Sequence, residues 1–414
     1  MSGLMSWRRD ISARQWRTLL AAHLGWLLDG MDIMLYAFAL LAIQKEFGLT
    51  SGTAGALASI TLLASAAGGI FAGVLADRWG RVPVLIGSML VYSLFTGAAA
   101  TSTSVYQLAF WRALVGFGLG GEWSAGSVLI AETWPAEHRG KAVGFMQAGW
   151  AVGYVLAAAL AAWILPAYGW RTLFVAGVAP AFVTLWIRRG VPESEIWRAA
   201  AGRRAANLGA GAGLRKLFSP PVRGRVLAAT ALSASLLFAY WGLFTWIPSY
   251  LAAPLSRGGA GFDLLKSLRW IVPMQAGAFL GYVLFGFLAD RFGRRPVFVV
   301  FVLASAVLVP LYGLSARREG FLMVLGPLIG FFGHGYFSVF GAMFAELFDS
   351  DIRATAQGLC YNAGRAASAA APFCIGLASD RWGIGSALAM TAGFYVAGAA
   401  LMFALPETRG GILR

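Results

Sequence analysis

The sequence predicts an all-α membrane protein with twelve transmembrane helices in two pseudo-symmetric six-helix bundles and both termini cytoplasmic. Three observations carry this. The 414-residue chain is 59% hydrophobic and only 12% charged, against roughly 25% charged in soluble domains. Apolar runs of about 20 residues, long enough to cross about 30 Å of hydrocarbon as helix, recur from end to end. Two polar signatures between such runs each occur twice.

The runs cover 18–43, 53–76, 83–102, 105–133, 142–166, 170–188, 225–253, 268–289, 296–313, 320–347, 354–379 and 384–405. They are rich in Leu, Ala, Gly, Val and Phe with no period-2 alternation, which argues against a transmembrane barrel. Segment one is too long for the h-region of a cleaved signal and is expected to serve as its own insertion signal. Between segments six and seven, a basic stretch around "RRGVPESEIW" divides the chain into 1–190, a cytoplasmic central loop 191–224, and 225–414. With the N-terminus inside, 23 of the 33 Lys and Arg residues fall on the cytoplasmic side and eight outside, leaving Arg112 and Arg365 within helices. That bias sets the orientation and implies a multi-pass protein of the cell inner membrane. It also accounts for the formal net charge of +15 through topology and contact with anionic lipid, so no nucleic-acid partner is expected.

The repeats come next. "GVLADRWGR" (73–81) returns as "GFLADRFGR" (286–294), and "ETWPAEHRGKAVG" (132–144) returns as "ELFDSDIRATAQG" (346–358). In each half the first joins helices two and three and the second joins helices four and five, so one six-helix unit is used twice. Together with "PES" (192–194) and "PETRG" (406–410), these signatures resemble the major facilitator superfamily over the whole chain. "LDGMD" (28–32), "RALVGFGLGGEW" (112–123) and "YNAGR" (361–365) resemble its proton-coupled carboxylate symporters of the lactate, pyruvate and sialate type, and aromatic-acid symporters share several of these features. The resemblance implies alternating-access symport of a small organic anion with a proton.

Charged residues inside apolar runs are the candidate site, because each costs about 2.5–3.5 kcal/mol at mid-bilayer and persists where it faces a cavity or a partner. Asp29 and Asp32 stand three apart on one face of segment one, and two carboxyl groups so close in an apolar setting suit proton uptake by one of them. Glu122 and Arg112 in segment four are a further protonation site or helix-joining partners. Arg112 is expected to face a segment-one carboxylate more than the substrate. His334 in segment ten suits a proton relay or simple packing. Arg365, near the middle of segment eleven, is the expected substrate ligand, since a guanidinium stays charged and grips a carboxylate with two parallel hydrogen bonds. Tyr361 and Asn362 could add hydrogen bonds, and Trp150 and Tyr336 could shape the walls.

Asp77, Arg78, Arg81, Glu132 and Arg139, with their counterparts Asp290, Arg291, Arg294, Glu346 and Arg353, end helices at the cytoplasmic boundary. Opposite charges there would pair when the bundles close and part when they open. The alternative is that they only set topology. Cys360 and Cys374 lie in one segment, too far apart to bond to each other, and no metal-ligand spacing occurs. No nucleotide loop, catalytic elbow or cofactor motif is present, so neither enzyme activity nor a cofactor is expected. The functional reading is a monomeric proton-coupled importer of a small monocarboxylate, lactate or pyruvate. The alternatives are an aromatic- or sugar-acid symporter and a drug/proton antiporter.

Overall fold

A computed structural model describes residues 11–49, 51–199, 212–262, 264–349 and 352–409. Arg8, Arg9 and the middle of the 191–224 loop lie outside them. All the regular structure among the described residues is helical.

Segment one is the helix Ala13–Phe47. It starts ahead of its apolar run because Ser12 and Gln15 form a capping box, each side chain satisfying the other's backbone N–H, which holds the first turn before any apolar face begins. Segments two, three and four are Ser51–Trp79, Arg81–Ala99 and Val105–Thr133.

Among the described residues, ten stretches are long and apolar enough to cross a membrane, against twelve expected, and two local features explain the difference. Segments five and six form one stretch, Arg139–Thr184, interrupted where Gly169 takes φ +73°, a left-handed conformation that glycine adopts without strain. Segment eleven, Arg353–Ser368 followed by Ala371–Trp382, does not qualify. Its first part carries Thr355, Gln357, Asn362 and Arg365, all buried, so polarity marks it as facing protein.

Segments two and four touch backbone to backbone. A Cβ on Gly120 would collide with the Ser65 carbonyl and the Gly69 amide, and only a hydrogen fits there. Gly330 in segment ten meets the Met274 carbonyl of segment eight in the same way, the equivalent contact in the second half. Across the halves, segment two packs on segment eleven and segment five on segment eight.

The "PES" and "PETRG" stretches cap helices. Glu193 Oε2 accepts from Val82 N at 3.0 Å, and Glu407 accepts from Arg294 N at 2.9 Å and Arg295 N at 3.0 Å. These amides open segments three and nine, whose N-cap residues, Gly80 and Gly293, have no side chain to offer. A carboxylate from the end of each half therefore satisfies donors that the helix itself leaves open.

Candidate substrate site

The expected latch assembles around two buried carboxylates. Glu132 takes Arg81 at 2.8 Å and lies 3.7 Å from Arg353, while Glu346 takes Arg139 at 3.3 Å and Arg294 at 3.3 Å. Each therefore joins one arginine of its own half to one from the other. Asp77 pairs with Arg81 at 3.0 Å and accepts from Thr355 N and Oγ1 at 2.9 and 2.6 Å, which ties the end of segment two to the start of segment eleven. Asp290 pairs with Arg294 and sits over Gly140 at the start of segment five. This side of the molecule is shut. Arg78 and Arg291, expected in the same latch, lie exposed outside it, because each follows its aspartate, Asp77 or Asp290, by one residue, and the turn of about 100° between them points it away from the interface.

Above the latch lies a narrow, tightly closed space between the halves. Arg365, Tyr361, Tyr240, Trp241 and Tyr282 face it from the second half, and Trp26, Trp150 and Gln147 from the first. Tyr361 is held between two partners: its ring stacks on Trp123 at 3.9 Å, and the Arg365 guanidinium lies 5.2 Å from its centroid. The Trp123 indole donates to Gln147 Oε1 at 3.0 Å. Trp26 and Trp150 are in ring contact at 4.9 Å, and Trp150 meets Trp241 edge-on. The result is an aromatic box with one guanidinium in its wall.

That guanidinium is 1% exposed. Arg365 Nη1 donates to Ser65 Oγ at 3.3 Å, and Nε has no partner. Its charge acts across the interface on Asp29 and Glu122, yet no oxygen of either carboxyl group is hydrogen bonded. Glu122 occupies the space that a Cβ on Gly25 would need, so segment four reaches segment one here.

Arg112 stands in an adjoining, slightly roomier chamber with Tyr36, Thr61, Ser65 and Trp241 in its walls. Its Nε donates to Thr61 Oγ1 at 3.2 Å, and its guanidinium covers the Tyr36 ring at 4.5 Å. Its charge acts on Asp32, which lies beside Thr96. Trp246 and Leu40 separate this chamber from a vestibule of about 700 Å³ on the face opposite the latch.

Three expected site residues sit elsewhere. Asn362 donates to Gly358 O at 2.9 Å and Ser124 Oγ at 3.4 Å, under Gly69, so it joins helices and does not line the cavity. Tyr336 packs on Phe337 and Tyr395. His334 lies behind the box, edge-on to Tyr240, Phe244 and Tyr282. Trp26, Gln147 and Tyr282 were not foreseen. Their signal was spacing: Trp26 is three residues before Asp29 and Gln147 three before Trp150, each on the same helix face.

The model of the Major Facilitator Superfamily matches residues 22–268 and 267–412. A putative metabolite transport protein of Haemophilus influenzae is 33% identical, the match covering 97% of this chain and 99% of that protein. The cis,cis-muconate transport protein of Acinetobacter baylyi is 34% identical over 95% and 93%. The 3-(3-hydroxy-phenyl)propionate transporter of Escherichia coli is 30% identical over 97% and 96%. Among solved structures, the proton:xylose symporter XylE superposes with a TM-score of 0.78 over 97% of this chain and 98% of that one, at 21% identity. Two facing halves, a shut latch and a buried polar site between them are what a carrier requires, and with these matches the chain belongs to the Major Facilitator Superfamily of membrane transporters.

Proposed function

We propose that the chain is a proton-coupled symporter of organic acids with a flat, unsaturated or aromatic body. It works as a monomer by alternating access in the cell inner membrane, with both termini cytoplasmic. The observation that most supports this is Arg365, a buried cation with a free Nε, set in a wall of Trp and Tyr rings. A guanidinium suits a carboxylate, and facing rings suit a planar body. The acids named for two of the relatives, muconate and hydroxyphenylpropionate, fall in that class. Lactate and pyruvate, the first expectation from sequence, carry no extended unsaturated body or ring to stack on these side chains. The aromatic-acid alternative takes their place. An exporter of organic cations fits poorly, since Arg365 would repel its cargo.

The proton would enter at Asp29, Asp32 or Glu122. A substrate carboxylate on Arg365 would lie beside Asp29 and Glu122, so the anion and the proton would meet in one place. The halves 1–190 and 225–414 then rock about the site while Glu132 and Glu346 release their cross-half arginines, with the 191–224 loop as tether.

The test is uptake of radiolabelled protocatechuate into proteoliposomes holding the purified protein, with and without an inward proton gradient. Gradient-stimulated uptake, competed by benzoate and not by lactate or glucose, is expected. Gradient-independent uptake would remove the proton, and equal competition by lactate would restore the small-acid reading.

A further inference from the structure

The two arginines stand in register. Arg365 is anchored to Ser65 and Arg112 to Thr61, and these hydroxyl residues are four apart on one helix, neighbours on a single face with Cβ atoms about 6 Å apart. On segment one, Asp29 and Asp32 stand three apart, also on one face. The charge of Arg365 acts on Asp29 and that of Arg112 on Asp32. The site is thus built in two layers, each an aspartate, an arginine and a hydroxyl, one helical turn apart, with Glu122 joining the layer of Arg365. Arg365 Nε has no hydrogen-bond partner, and Arg112 is held through its Nε while lining the outer chamber, so both guanidinium groups keep donors for a ligand.

The two spaces adjoin. Ser65, which holds Arg365, lines the outer chamber with Arg112, and Trp241 walls both cavities. Met34 and Leu119 give the outer chamber an apolar lining.

Resting on the acid-symporter reading above, we propose that the substrate carries two anionic groups, one held by Arg365 and the other by Arg112, joined by a short apolar spacer. Two carboxyl carbons separated by four others are five bonds apart, roughly 6 Å in an extended chain, which matches the spacing of the layers. A monoacid fills one layer and leaves the donors of the second guanidinium without a ligand oxygen.

The test uses a matched pair. Trans,trans-muconate and sorbate share a six-carbon diene and differ in one carboxylate against one methyl. Their affinities are measured by calorimetry at neutral pH, where both are ionised, on the full-length protein in lipid nanodiscs. The wild type is expected to prefer the diacid by roughly tenfold or more, and Arg112→Gln to bring the ratio of the two affinities towards one. Equal affinities in the wild type, or a preference that survives Arg112→Gln, would overturn the proposal. Thr61→Val removes only the hydroxyl that holds Arg112 Nε. It serves if the first variant does not fold: a severalfold drop in the ratio is expected, and an unchanged ratio counts against the two-layer site. Binding of both acids with equal strength would leave the acid-symporter reading standing while this inference fails. Binding of neither would remove both.

Discussion

Arg365 is the substrate ligand of the proposed site on three coinciding features: burial, a free nitrogen and a ring wall. Arg365→Ala should abolish acid uptake while the thermal unfolding profile stays close to wild type; near-normal uptake would end its assignment as ligand. Arg365→Lys should lower uptake by tenfold or more, roughly the worth of one charge-assisted hydrogen bond, because an ammonium cannot present two parallel donors. For the carboxylates, Asp29→Asn should stop proton-driven accumulation while exchange of labelled for unlabelled acid continues, read as counterflow with no gradient imposed. At this scale the sequence was legible where a residue was costly. Asp29, Asp32, Arg112, Glu122 and Arg365 stood out because charge in an apolar run needs a reason. The box was less legible, since aromatic residues make up 14% of the chain and only neighbouring helices tell a cavity ring from a lipid-facing one. Asn362 shows the limit. It follows Tyr361 by one residue, and the 100° turn between them sends one side chain to the cavity and the other to segment four.

Helices approach this closely because glycine lets them. A leucine at Gly120 would drive its side chain into the backbone of segment two, where no rotamer can relieve the clash. Overpacking of this kind typically costs about 1–3 kcal/mol or more, so Gly120→Leu should lower the unfolding temperature or prevent folding, read by fluorescence-monitored melting. The Glu407 cap makes a second prediction. Burial alone would push its carboxyl up, but the amides of Arg295, Arg294, Arg409 and Thr408 outweigh it and hold it below the ordinary 4.5. A group depressed in the folded state stabilises above its unfolded value and loses that contribution as pH falls through the folded one. The melting-temperature gap between wild type and Glu407→Gln should therefore be widest near neutral pH and close below about pH 4. A gap that does not change with pH would remove the charge from the cap. "PES" and "PETRG" were visible as motifs; that both deliver a glutamate to a helix start with no side chain of its own was not.

For the whole molecule, the latch is shut and the vestibule lies on the other face. Glu132 and Glu346 are each shared between an arginine of their own half and one from the opposite half, so losing either carboxylate leaves two buried cations facing each other. Glu346→Gln should shift the population towards the state open on the latch side. In a background with Cys360 and Cys374 replaced, a cysteine introduced by Val143→Cys, buried between segments five and ten, should then be labelled faster by an impermeant thiol reagent. Unchanged labelling would reduce these charges to boundary markers.

The fold class, the twice-used helical unit and the costly charges were determined by the sequence alone. Apolar length, a repeated motif and ionisable residues in hydrocarbon are each local facts, readable without knowing what packs on what. The aromatic box, the split of the arginines into two anchored layers and the exclusion of Arg78, Arg291, Asn362 and Tyr336 from the roles expected of them were decided only by the tertiary structure. Each depends on the rotation of one helix against another, a quantity set by glycine contacts and cross-half packing between residues hundreds of positions apart.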